Sequence, residues 1–282
     1  HLDGTPLFTR PEKSTLANRS IRSLYGNYYA SLTANRSFQQ HEIKLLAGTS
    51  LETLYSRNFR AYREGFTFPE YRVLDAGAQE NMSASGNASE WALHSLFGRL
   101  NYNYKSKYLF EANARYDGSS RFAKGRKYGF FPSFSVGWRI SEEDFMKDIH
   151  STISNLKIRG SWGTLGNQNI GTYPFASTLT LGSYSMAGQI VSTAALTDMS
   201  NDLISWETSE MMNIGVDATI LDNLSVSFDW YNKITSDILL QLDIPLSIGL
   251  NKPYQNAGKV RNRGWDFTIG YKGDAEIGRA HV

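Results

Sequence analysis

The chain has 282 residues, a formal net charge of +2 and no cysteine, which excludes a disulfide scaffold and a thiolate metal site and gives no strong electrostatic argument for nucleic acid or for an anionic membrane surface. Tyrosine (16) and phenylalanine (15) are abundant, glycine is frequent (24) and proline sparse (7), a composition suited to β-structure. No apolar run is as long as a transmembrane helix, so any membrane crossing would have to be made by strands.

The opening HLDGTPLFTR has neither a methionine start nor the charged and apolar regions of a leader. At the other end, Glu276–Val282 differs from everything before it and reads as translated sequencing adapter. The expectation is therefore an internal stretch of a longer protein, with residues 1–275 genuine. A first strand is expected over Arg22–Asn35, with Leu24, Tyr28, Ala30 and Leu32 opposite Tyr25, Asn27, Tyr29 and Ser31. A polar turn at Arg36–Gln40 leads back through Ile43, Leu45, Ala47 and Leu51, and Tyr55–Glu90 is expected to be irregular.

Three strongly alternating runs follow. Leu96, Gly98, Leu100, Tyr102 and Tyr104 oppose Arg99, Asn101 and Asn103; Tyr108, Phe110, Ala112, Ala114 and Tyr116 oppose Glu111, Asn113, Arg115 and Asp117; Phe134, Val136, Trp138 and Ile140 oppose Ser133, Ser135, Gly137 and Arg139. A period of two gives each strand one apolar and one polar face. Ser141–Ser154 reads as a short helical connector, with Ser141 as cap and Glu142, Glu143 and Asp144 in the first turn. Further strands are expected at Leu156–Leu165, Trp206–Ile220, Leu224–Ile234 and Trp265–Tyr271, separated by long segments at Gly166–Ile204 and Ser236–Asn256.

Strand length decides which solvent meets the apolar face. The eight-residue step from Tyr108 to Tyr116, at about 3.4 Å per residue and tilted by roughly 40°, rises about 21 Å. That is close to the apolar band of an outer-membrane barrel, with an aromatic ring at each interface. Short connections also alternate with long ones, as barrels with tight turns on one side and long loops on the other require, the Ser141–Ser154 connector being the one longer exception on the short side. About nine strands are too few and too odd in number to close a bacterial barrel, so an all-β, antiparallel, incomplete transmembrane barrel is expected.

Several stretches, in order, carry a resemblance: Glu90-Trp91-Ala92, FGRLNYNYKSKYLFEANARYDGSSRF at Phe97–Phe122, FFPSFSVGWRISEEDFM at Phe130–Met146, LKIRGSWGTLGNQNIGTYPF at Leu156–Phe175, WETSEMMNIGVD at Trp206–Asp217 and NAGKVRNRGWDFTIGY at Asn256–Tyr271. Together they resemble the SusC/RagA family of TonB-dependent outer-membrane transporters of Bacteroidetes. The resemblance implies a 22-stranded barrel around a plug, import of oligosaccharides or peptides with a SusD-like lipoprotein, energy delivered by TonB–ExbB–ExbD, and no cofactor. Plug, TonB box and terminal strands are not among the matching stretches.

Candidate residues follow from face and position. Glu111, Arg115, Arg139, Arg159, Asp217 and Asp229 would face the lumen, lining a substrate path or forming a charge ladder against the plug. Tyr108, Tyr116, Trp138, Trp162, Trp206, Trp230 and Trp265 have the phase of lipid-facing or girdle residues. Tyr62, Tyr71, Trp91, Arg121, Tyr173 and Tyr184 are placed in outer loops or strand ends, where they would meet substrate or partner or else pack within the loop. Basic loops could also meet anionic lipid of the outer membrane. Five scattered histidines, and Ser119 and Ser120 without a base or a nucleophile elbow, give neither a metal site nor a catalytic set. The alternative to a membrane barrel is a soluble or surface carbohydrate-binding β-sandwich or adhesin, which would show strands of about five residues around a filled two-sheet core.

Overall fold

The computed structural model describes residues 13–68 and 70–273; the expected adapter at Glu276–Val282 lies outside the described residues. The strands are β1 (Thr15–Phe38), β2 (His41–Glu64), β3 (Ser83–Tyr104), β4 (Tyr108–Ser119), β5 (Tyr128–Arg139), β6 (Ile153–Asn167), β7 (Leu179–Met186), β8 (Gln189–Leu196), β9 (Glu207–Ile220), β10 (Leu224–Ser236), β11 (Leu239–Gln241), β12 (Tyr254–Asn256) and β13 (Lys259–Tyr271). Nine of them form one sheet in the order β1-β2-β3-β4-β5-β6-β9-β10-β13, and β7-β8 and β11-β12 form separate two-stranded ribbons. Among the described residues there is no α-helix. Two compact units divide the chain, one within His1–Asn27 and Glu52–Ala92, the other within Tyr28–Leu51 and Leu93–Val282.

In the larger unit, the register brings like faces together on every strand. Tyr104, Tyr102, Leu100, Gly98 and Leu96 pair with Tyr108, Phe110, Ala112, Ala114 and Tyr116. Those of β4 pair in turn with Trp138, Val136, Phe134, Pro132 and Phe130. The apolar row continues through Ile158↔Val216, Phe228↔Val216 and Phe228↔Phe267. A one-residue slip anywhere would invert a whole strand, so the alternation itself specifies the register. This apolar face is uncovered even on an inner strand: on β5, Phe130 is 62% exposed, Val136 57% and Phe134 45%. The two-sheet core of a sandwich is absent among the described residues; the one buried cluster gathers at the loop ends of the strands.

The two ends of this unit differ. At one end the connections are tight, with Lys105 and Ser106 at φ 56° and 57° and Leu221 and Asp222 at φ 51° and 61°. At the other end lie residues 120–127, 168–206 and 237–258, which contain both small ribbons. The expected helical connector is corrected: residues 140–142 and 144–149 are 3-10 turns, and Ser141 makes no capping bond but is itself buried, its hydroxyl without a hydrogen-bond partner.

The smaller unit corrects the expectation for Tyr55–Glu90. Strand β2 continues to Glu64 and β3 begins at Ser83, leaving only 65–82 irregular, with one 3-10 turn at Leu74–Ala76. Here Ser23 Oγ lies 3.0 Å from Ser56 Oγ, Tyr25 Oη donates to Glu52 Oε2 at 3.2 Å and Asn58 donates to Asn87. Polar side chains occupy both faces, so the hydrophobic period vanishes while the backbone ladder persists. Periodicity reports which faces differ in solvent, not where a strand stops.

Candidate functional site

On the polar face, Arg159 of β6 ties three strands together. Its Nε donates to Asp217 Oδ2 of β9 at 2.9 Å, and its Nη2 donates to Asp229 Oδ2 of β10 at 2.7 Å. Ser227 Oγ donates to Asp217 Oδ1 at 2.7 Å. Gly215 lies in the gap, where a methyl group would stand 2.4 Å from Asp229 Oδ1 and 2.8 Å from Arg159 Cζ. A side chain at this position would push the Asp229 carboxylate and the Arg159 guanidinium aside. Beside it, Arg99 Nε donates to Asn113 Oδ1 at 2.6 Å and Asn113 to Glu111 Oε1 at 2.8 Å, and Arg115 pairs with Asp117 at 3.0 Å.

This ladder floors two open hollows. One of about 510 Å³ is lined by Glu42, Lys44, Glu111, Lys157 and Arg159, the other of about 500 Å³ by Asn113, Arg115, Asp117, Ser161 and Lys233. The two hollows present both signs of charge and several amides, groups that suit recognition of polar ligands. Among the described residues no group of His, Asp and Glu could hold a metal ion.

At the long-loop end, Phe122, Phe131, Ile170, Ile204 and Trp206 form the buried cluster, with Leu93, Phe175, Leu239 and Tyr254 packed on it. Trp206 is only 8% exposed, and its Nε1 donates to Lys127 O at 2.9 Å. Asn256 acts as a clasp: its Oδ1 accepts from Ser205 N at 2.8 Å, and its Nδ2 donates to Ser205 O and Asp237 O, each at 2.9 Å. Three loops are thus held as one body. At the other end, Glu143 takes the corresponding part, accepting from Tyr108 Oη at 2.7 Å, Trp138 Nε1 at 3.0 Å and Lys107 Nζ at 3.1 Å. The Tyr108 hydroxyl first, then Trp138 and Lys107, hold the Glu143 carboxyl below the usual range.

The sequence-predicted residues fall as follows. Glu111, Arg115, Arg139, Arg159, Asp217 and Asp229 share the polar face of adjacent strands. On the apolar face Tyr108, Tyr116, Trp138 and Trp265 are exposed, and Trp162 and Trp230 are half-buried. Trp206 is a correction: it is not on the outer face but in the buried cluster, because it stands one residue before β9, where its ring turns onto Phe122 and Phe131 at centroid distances of 5.2 and 5.4 Å.

The loop candidates do not form one set. Tyr62 is in β2, not a loop, with its hydroxyl on Glu64 at 3.0 Å, and Trp91 lies within β3 rather than at its end. Tyr71 and Tyr184 are exposed, in the 65–82 connection and on β7 respectively. Tyr173 is exposed with φ 60°. Arg121 is turned inward, its guanidinium on Ile170 O, and burial pulls its pKa down. Sequence reasoning missed Asn256 and read Glu143 only as one of the acidic residues of a helical first turn. The signal available for each was a polar residue immediately outside an alternating run, which reads equally well as an ordinary loop residue.

With this geometry in hand, comparison with known proteins gives consistent matches. The family model described as TonB dependent receptor-like, beta-barrel, matches residues 3–278. TonB-dependent receptor P3 of Formosa agariphila is 40% identical over 254 residues, covering 89% of this chain and 25% of that protein. TonB-dependent receptor SusC of Bacteroides thetaiotaomicron is 33% identical over 270 residues, covering 89% of this chain and 24% of that protein. The chain therefore spans about a quarter of the length of the curated relatives it matches. The solved structure of the RagAB peptide transporter superposes with a TM-score of 0.83 at 25% identity, over 90% of this chain and 28% of that one.

Proposed function

The chain belongs to the TonB-dependent receptor-like β-barrel family, and from that premise we propose that residues 1–275 form part of the barrel wall of an outer-membrane importer. The family is one of receptors, not of enzymes. The observation that carries the reading is the uninterrupted apolar face, aligned strand to strand from β3 to β13 and left exposed to whatever solvent surrounds it. An exposed apolar face of this extent marks a membrane or interaction surface.

In this reading Tyr108, Tyr116, Trp138, Trp162, Trp230 and Trp265 meet lipid, and Glu111, Arg115, Arg139, Arg159, Asp217 and Asp229 face a wet interior holding a plug. The long loops, with Tyr71, Tyr173 and Tyr184, lie on the cell exterior, where substrate and a SusD-like lipoprotein would approach. TonB–ExbB–ExbD supplies the energy, and the cargo is an oligosaccharide or a peptide; the likeness to a peptide transporter favours peptide.

Deletion of the gene tests this. Uptake of the cargo should be lost on deletion, restored by the full-length gene, and lost again when TonB is removed. A lipoprotein should co-purify with the restored protein. Uptake that survives TonB removal would overturn the energised-importer reading.

A further inference from the structure

A line of aromatic rings bounds the apolar face toward the long loops: Tyr116 on β4, Phe130 on β5, Trp162 on β6, Trp230 on β10 and Trp265 on β13. It does not follow a hydrogen-bonded row. Trp265 pairs with Trp230, then Ile214, Gly160, Val136 and finally Phe110, six residues short of Tyr116 on the same strand. Six residues at about 3.4 Å, gained over five inter-strand steps of about 4.8 Å, incline the line by roughly 40° to the rows. Strands of membrane barrels tilt by about 35–45°. The aromatic line is thus level where the strands are not, as an interface must be.

Beyond that line the same face changes character on β13. Arg263, Arg261 and Lys259 continue the phase of Trp265, paired with Asn232, Ile234 and Ser236 of β10. All three carry a positive charge, are exposed, and occupy consecutive positions of this face on the outermost strand of the sheet. The nearest carboxylate on this face is Glu210, which pairs across with Ile234 and accepts from Trp162 Nε1 at 2.8 Å. Side chains along the column recur every 6.8 Å or so, about 5 Å along the membrane normal at that tilt. Arg263 is therefore about one such step above the Trp265 ring, and Lys259 about three.

We propose that Lys259, Arg261 and Arg263 bind the phosphate of an anionic lipid headgroup in the leaflet on the long-loop side, with the acyl chains lying against Trp265, Phe267 and Phe228. Arginine forks match phosphate geometry with two hydrogen bonds at once, and the apolar surface directly beneath selects an amphiphile over a free ion. The assignment rests on the reading that the apolar face meets lipid.

The test is native mass spectrometry of the full-length protein, released from uncharged detergent after titration with phosphatidylglycerol or phosphatidylcholine. Phosphatidylglycerol should be retained in preference. The triple variant K259Q/R261Q/R263Q should lose that preference by about a hundredfold, at roughly fivefold per charge, and Lys157→Gln on the polar face should keep it. A wild-type protein with no preference, or a triple variant that retains it, would overturn the proposal. Loss of the preference on addition of excess inorganic phosphate would assign the column to free anions and overturn the lipid assignment. Failure of the wild-type protein to enter bilayers at all would instead strike the underlying membrane reading.

Discussion

The two ends of the larger unit secure the same strands by different means. At the long-loop end the fastening is a dry cluster of Phe122, Phe131, Ile170, Ile204 and Trp206, finished by the Asn256 clasp. At the short-turn end it is mainly polar: Glu143 grips Tyr108, Trp138 and Lys107 over a 3-10 connector in which only Ser141 and Met146 are buried. Apolar burial neither titrates nor weakens by charge screening, whereas a charge-assisted network does both. The difference also follows from length: two of the connections at the short-turn end are three-residue turns and the longer one, 140–152, buries only Ser141 and Met146, while three long loops together close a small core of their own.

The largest effect is expected from Trp206→Ala, which removes a buried indole and leaves Lys127 O without its donor. A cost of about 3–5 kcal/mol to the loop body is expected, read as faster hydrogen exchange across 120–127 and 168–206 with the short turns unchanged. Equal loosening at both ends would break the comparison. Asn256→Ala should cost about 1–3 kcal/mol by leaving backbone groups at Ser205 and Asp237 unpaired. Asn256→Asp, which can accept from Ser205 N but cannot donate, should fall near the alanine variant rather than near wild type. Between the ends, Gly215→Ala should cost about 1–3 kcal/mol by crowding Arg159 and Asp229, seen as a lowered melting temperature with both ends still protected.

The smallest effect is at Glu143. Its carboxyl is held below the usual range by Tyr108, Trp138 and Lys107, so the stabilisation it gives is fully present above the ordinary glutamate value of about 4.3 and is lost as pH falls through its lower folded value. Acid should therefore loosen residues 140–152 before it touches the loop cluster, and Glu143→Gln should produce the same local loosening at neutral pH. Exchange rates of the connector amides check both. Loop-cluster amides that open first on acidification would reverse the assignment.

The nine strands of the sheet were readable because lipid-like and water-like faces impose a period of two on residues such as Tyr108–Tyr116, and the tight turns confirmed where each run reversed. The polar-face residues followed from the same phase. What could not be read depends on contacts across long separations: Trp206 needs Phe122 and Phe131, and Asn256 needs Ser205 and Asp237. Nothing local to Trp206 distinguishes an inward turn from a girdle position. The ribbons β7-β8 and β11-β12 were missed because both strands of the first are exposed throughout and the second has only three residues a side. Strands β1 and β2, 24 residues each, were cut short where their two faces became alike.

The most direct test of the central claim exploits the absence of cysteine in this chain. Single cysteines at 133, 134, 135, 136, 137 and 138 of β5, in the full-length protein with any cysteine outside this stretch replaced by serine and reconstituted into bilayers, can carry a spin label for collision measurements with oxygen and with a water-soluble nickel complex. Labels at Phe134, Val136 and Trp138 should favour oxygen, and labels at Ser133, Ser135 and Gly137 should favour nickel or be shielded from both. Equal accessibility to nickel on the two faces would contradict a sheet that meets lipid on one side and a polar interior on the other.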